Sequence, residues 1–266
     1  MRPAKSAGLF YLSQENPKMK GTILKAPLEW TVETSSESWE QGEIIKGILK
    51  VKNHGTTKVE LKNMGVGLAL AEIKKVQSRS DGAIQPNQTF ALPQQELSAS
   101  EEIHGEFQFA LDSNAYVTDK KASFYLCFGS QFNEGQLQLR INPRNLFTKI
   151  SGLFETFYRF KLKEYKGSKK GVEFKFTPPQ SREMANMESM SLHFSFKEDQ
   201  LILNFDFQIK KLDTSSVTNK INKESVKIEK ILAPKEYSLG KGMINQEVIL
   251  KKLDEVLSEV KLNNIF

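Results

Sequence analysis

Leu192, Phe194 and Phe196 occupy every second position before the polar stretch Lys197-Glu198-Asp199-Gln200, and Leu201, Leu203, Phe205, Phe207 and Ile209 do so after it. A period of two puts each set on one face of an extended strand, whereas a helix would scatter it around its axis. The stretch therefore predicts a long hairpin with one apolar face, and any fold for this chain has to bury that face.

The same period runs through the first half. Ile45, Gly47, Leu49 and Val51 point one way and Lys46, Lys50 and Lys52 the other, a strand with one wet face that ends at the turn Asn53-His54-Gly55. Residues 28–33 form the strand before it, with 35–43 as a polar turn between them. Val59, Leu61 and residues 64–70 continue the pairing, and Gly65 and Gly67 mark a bulge or a close approach of backbones. Residues 77–100, rich in Ser, Gln, Pro and Asp, read as a long surface connection with at most a short edge strand. Strands at 103–111, 123–128 and 136–141 bring the total to about seven over roughly 120 residues, the pattern of an antiparallel sandwich.

Residues 139–179 join this unit to a second one. Leu146, Phe147, Ile150, Leu153, Phe154 and Phe157 recur at helical spacing just after Pro143, with Asn145 as the N-cap. Phe160, Leu162, Val172, Phe174 and Phe176 then alternate with Lys161, Lys163, Glu173 and Lys175, two half-buried strands joined by residues 165–171. Residues 213–229 are polar and read as a mobile loop or a sheet edge. Ile249, Leu250, Leu253, Val256, Leu257 and Val260 return to helical spacing behind an Asn245 cap, a helix that docks on a sandwich face or on a twin subunit. The expected organisation is an N-terminal arm over 1–20, a β-sandwich over 21–142, a linker helix and second sandwich over 143–240, and a C-terminal amphipathic helix over 241–266.

Charge separates these parts. The chain carries a net +6, and residues 1–142 hold 16 basic and 16 acidic residues, 143–240 hold 18 and 12, and 241–266 hold four of each. The whole excess lies in the second unit, much of it in 159–175, where seven basic residues face two acidic ones. Lys161, Lys163, Lys166, Lys169 and Lys170 on this basic hairpin are the candidate partner-binding residues. They would meet an acidic protein or an anionic membrane surface, against the plain alternative of a lysine-rich face kept for solubility. No helix-turn-helix, zinc-finger or ribonucleoprotein signature places the charge in a nucleic-acid groove, so specific nucleic-acid binding is not expected. No stretch has the roughly 18 uninterrupted apolar residues of a membrane-spanning helix. The single cysteine, Cys127, excludes an internal disulfide and agrees with a reducing compartment, so a soluble cytoplasmic protein is expected.

Residues 38–51, Ser-Trp-Glu-Gln-Gly-Glu-Ile-Ile-Lys-Gly-Ile-Leu-Lys-Val, resemble the turn and following strand of the bacterial sporulation-control family of the arrestin clan. Further similarities are Leu139-Arg140-Ile141-Asn142-Pro143 leading through the helix to Phe160-Lys161-Leu162 and Gly171-Val172-Glu173-Phe174, and the late hairpin from Met190 to Phe207. Together they cover most of residues 21–210, although Gln41 stands where the family has proline. The resemblance implies an all-β, arrestin-like fold of two tandem antiparallel β-sandwiches with a short linker helix. It also implies a non-enzymatic adaptor or regulatory role in signalling or developmental control, and it brings no catalytic residues.

The residues themselves point the same way. His54, His104 and His193 lie far apart without other ligands at metal spacing, so no metal or cofactor is expected. Cys127, inside Tyr125-Leu126-Cys127-Phe128, reads as a small buried apolar residue and not as a nucleophile. Gly167-Ser168-Lys169-Lys170-Gly171 lacks the spacing of a phosphate loop and joins strand to strand. The two amphipathic helices are candidates for self-association.

Overall fold

The computed structural model describes residues 19–213, 220–240 and 242–263. Residues 1–18 of the expected 1–20 arm lie outside them, and its last two residues, Met19 and Lys20, instead begin the first strand, β1 (Met19–Lys25). In chain order follow β2 (Leu28–Thr34), β3 (Ser38–Glu40), β4 (Ile44–Asn53), β5 (Val59–Glu60), β6 (Met64–Glu72) and the single-turn helix α1 (Ile73–Gln77). Then come β7 (Gln88–Ala91), β8 (Glu96–Leu97), β9 (Glu102–Ala110), β10 (Ala122–Ser130) and β11 (Gly135–Asn142).

These strands make two sheets, β1-β2-β4-β9 and β3-β11-β10-β6-β7, with β5 and β8 pairing separately. The sheets face each other across a core that includes Trp30, Ile45, Leu49, Val51, Leu68, Phe124, Leu126 and Phe128. The alternation of β4 is as expected, but β6 does not extend that sheet: it pairs with β10 and β7 opposite. Alternation fixes which side chains face inward and says nothing about which strand lies alongside. A Cβ on Gly65 would lie 1.9 Å from the Phe90 carbonyl oxygen, which identifies this glycine as a close backbone approach. The stretch read as a polar turn contains β3, whose Trp39 is buried and which pairs in parallel with β11.

The second half begins with α2 (Asn145–Tyr158) and continues through β12 (Lys161–Ser168), β13 (Gly171–Thr177), β14 (Met187–Lys197), β15 (Gln200–Asp213) and β16 (Lys220–Leu232). It closes with the short α3 (Pro234–Tyr237), the small strand pair β17 (Ser238–Gly240) and β18 (Met243–Ile244), and α4 (Gln246–Asn263). β12 to β16 form one antiparallel meander. Its inner face, with Phe174, Phe176, Leu192, Phe194, Phe205 and Phe207, is covered by Phe147, Ile150, Leu153 and Phe154 of α2 and by Ile249, Leu253, Val256 and Leu257 of α4. Each such side chain contributes on the order of 1.5–3 kcal/mol by leaving water. The second layer here is thus helical, because all five strands are used in one sheet. α4 packs within its own chain.

Three local expectations are corrected. The N-cap of α2 is Arg144, without a side-chain bond, and the Asn145 N–H is met by Glu40 Oε2 at 2.8 Å from the first half. Phe157 is 51% exposed, because Phe154 and Tyr158 take the side of the last turn of α2 that meets the core. The hairpin strands extend to Ser168 and Gly171, leaving only Lys169 and Lys170 as the turn. Of residues 213–229, those from Lys220 onward form the edge strand β16, and 214–219 lie outside the described residues.

Candidate functional site

Between β9 and β10 a strap of the first half, residues 112–119, lies against the second half. Its start is held by Gly42, whose N–H donates to the Asp112 carbonyl at 3.0 Å, and its end by Thr118, which bonds the backbone of Leu139 and Ile141 on β11. Gln41, buried, donates from Nε2 to the Ala115 carbonyl at 2.6 Å, while its Oε1 has no partner among the described residues. Gln41 therefore ties the β3–β4 turn to the strap.

What the strap offers outward is mostly polar. β14 overshoots β13, whose ladder stops at Val172 opposite Phe194, and the Asn114 side chain takes the vacant place beside Phe196. Asn114 Nδ2 donates to the Phe196 carbonyl at 2.7 Å, and the Phe196 N–H donates to Asn114 Oδ1 at 2.6 Å. Arg144 lies over the same Phe196 ring, 4.7 Å from its centroid. Val117 is fully buried in the core of the second half. Tyr116 packs on Gly167, where a Cβ would lie 2.4 Å from the ring, and donates its hydroxyl to Asp119 Oδ2 at 2.9 Å. The same Oδ2 accepts from the Gly167 N–H at 3.1 Å. Burial works against the Asp119 carboxylate, but the N–H groups of Ala122 and Lys121, the Tyr116 hydroxyl and Gly167 outweigh it and hold its pKa below the ordinary value. Burial and that carboxylate together push the Tyr116 hydroxyl up.

β12, which carries Lys161, Lys163 and Lys166, is an edge strand, and Lys169 and Lys170 form the turn that follows it. Lys161, Lys163, Lys169 and Lys170 are exposed and form no ion pair among the described residues. Lys166 differs: it pairs with Glu164 at 2.9 Å, as Lys175 does more loosely with Glu173 at 3.9 Å. The hydrogen bond from Lys166 lowers the Glu164 pKa, helped by the charges of Lys175 and of Lys120 from the first half. The structure thus brings four of the five predicted residues to a free basic ridge and gives the fifth a partner. It adds Lys120 and Lys121, exposed on the turn that Asp119 holds against β12. No local pattern marks these two, because their neighbours lie more than forty residues away.

On the outer face of the second sheet a groove of about 410 Å³ is lined by Glu173, Ser191, His193, Asn204, Asp206 and Lys227 among others. His193 bonds Ser168 Oγ through Nε2 at 2.8 Å, and burial lowers its pKa, with Glu173 acting against the shift and Lys170 adding to it. Opposite charges meet across neighbouring strands here, Glu173 beside Lys166 and Asp206 beside Lys227, so the face is largely self-compensated. Among the described residues no three of His, Cys, Asp and Glu gather as metal ligands. Cys127 is buried and its thiol is pushed up to about 12 by burial. No helix of the described residues is long and apolar enough to cross a membrane.

Neither a family model nor a curated protein matches the chain. Among solved structures, Spo0M, the sporulation control protein of Bacillus subtilis, aligns with a TM-score of 0.58 over 90% of this chain and 100% of its own, at 15% identity. The chain has the fold of that protein. The mainly β architecture that the motifs imply is therefore present, and at this identity the likeness speaks for fold alone. A β-glucosidase of Listeria innocua in complex with gluconolactone aligns over 43% of this chain and 16% of its own, at 13% identity and a TM-score of 0.28. A conserved hypothetical protein of Bacillus anthracis aligns over 45% and 92%, at 10% identity and 0.26. Neither score carries an argument.

Proposed function

We propose that this protein acts by binding, as a non-enzymatic cytoplasmic adaptor of regulatory type that holds a protein partner on its basic hairpin. The observation that carries the reading is the ridge itself. Lys161, Lys163, Lys169 and Lys170 stand exposed and without ion pairs among the described residues, on a hairpin braced by the sheet behind it and by the strap beside it. Unpaired cations have no ion pair to give up on meeting an acidic surface, and their field speeds its approach. The fold shared with a sporulation control protein supports a regulatory role.

The test is affinity capture from lysate with wild type and with a variant carrying Lys161→Glu, Lys163→Glu, Lys169→Glu and Lys170→Glu, its folding checked by circular dichroism. A partner held by wild type and lost from the folded variant is the expected result. The same partner list from both would return these lysines to a solubility role and overturn the proposal.

A further inference from the structure

β12 pairs on one side only, so alternate residues direct both N–H and C=O away from the sheet. Two of these outward N–H groups already hold carboxylates. Leu162 donates to Glu155 Oε1 of the linker helix at 3.2 Å, and Gly167 donates to Asp119 Oδ2 of the strap at 3.1 Å. Tyr165, two residues before Gly167 in unbroken register with β13, turns its N–H and C=O to the same open side, while its ring packs inward on Phe174. Around this edge stand Lys161, Lys163 and Lys166 of the strand, and Lys120 of the first half lies near enough for its charge to act on Glu164, with the exposed Lys121 next to it in the chain. The turn that carries both is held by Asp119, whose Oδ1 accepts the N–H groups of Lys121 and Ala122 at 2.8 and 3.0 Å.

We infer that the open edge of β12 is the docking site of an extended acidic segment of a protein partner, held by backbone pairing at Tyr165 and by lysines from both halves. This rests on the binding role given above to the hairpin and adds the partner's conformation and a second set of contacts. The free N–H and C=O of Tyr165, flanked by lysines, match an extended segment, which brings an acceptor and a donor to that residue and carboxylates on alternate positions. A bilayer surface has no backbone to offer Tyr165.

The experiment is fluorescence anisotropy of the full chain with a labelled decapeptide of alternating Glu and Thr, and with its fully N-methylated counterpart of equal charge. Wild type is expected to bind the first in a salt-sensitive way and the second at least about tenfold more weakly, because the donors are gone. Lys120→Glu with Lys121→Glu, both exposed, is expected to weaken binding of the first peptide about tenfold. Equal affinity for the two peptides overturns the edge pairing, as does binding to anionic vesicles with none to either peptide. If the four-lysine hairpin variant loses the peptide and the Lys120/Lys121 variant does not, the two-sided site is refuted and the hairpin role stands. If neither variant changes binding, both readings fall.

Discussion

Replacing Asn114 by Ala tests how the two halves are joined. β14 runs on past the last β13 partner, so Phe196 has no strand on that side and depends on the Asn114 amide for both its N–H and its C=O. A hydrogen bond of this kind contributes about 1 kcal/mol net, and a half-buried group left unpaired costs at least as much, so losing both should cost about 2 kcal/mol. For a chain of this length that corresponds to a fall of roughly 4–8 °C in Tm. Denaturant unfolding reads the energy, and hydrogen exchange at the Phe196 amide localises it. Asn114→Asp sharpens the test. Its carboxylate still accepts the Phe196 N–H but sets a second oxygen against the carbonyl, which raises its folded-state pKa above the unfolded value. Stability lost at neutral pH should then return as the pH drops through the carboxyl range and the acid regains a donor. An Asn114→Ala variant within about 0.5 kcal/mol of wild type, with unchanged exchange at Phe196, would refute the reasoning.

Two further outcomes follow from the same geometry. Gly167→Ala places a methyl against the Tyr116 ring at 2.4 Å and should cost about 1–3 kcal/mol in a denaturant melt, most of it recovered when Tyr116→Ala is added. His193 titrates below its ordinary value of 6.5 because burial disfavours the charged ring. The unfolded chain therefore takes up its proton first, and stability should decline as pH falls from about 6.5 towards the lower folded value; His193→Gln should flatten that part of the melting-temperature profile.

The strands of this fold were legible because Ile45, Leu49 and Val51, or Leu203, Phe205 and Phe207, keep a period of two over enough residues to exclude a helix. β3 was not, since three residues carry no period and Trp39 is buried by a parallel neighbour a hundred positions on. The helical layer of the second half could have been counted, because its five successive strands fill one sheet and leave its inner face to α2 and α4. The candidate site divides in the same way. Lysine density marked the hairpin, but the pairing of Lys166 with Glu164, the Glu40 carboxylate at the start of α2 and the arrival of Lys120 near β12 all depend on a fold already formed. Asn114 is the clearest case: a residue that reads locally as a turn former bonds a backbone 82 positions away.

The strap also sets how far the halves can act separately. Val117 belongs by sequence to the first half and by burial to the core of the second, so pulling the halves apart would expose its side chain, at about 1–2 kcal/mol, and break the bonds of Asn114 and Asp119. Those costs sum to several kcal/mol, comparable with the stability of one small domain, so each half should stabilise the other and the wild type should melt in one calorimetric transition. Asn114→Ala, Val117→Ser and Asp119→Asn together remove these three contacts and weaken the coupling most, while leaving the sheets and the other core residues intact. Two separated transitions in that variant are the expected result. Two transitions already in the wild type would show that the strap is an incidental contact, and the β12 edge would then have to be held open by its own sheet alone.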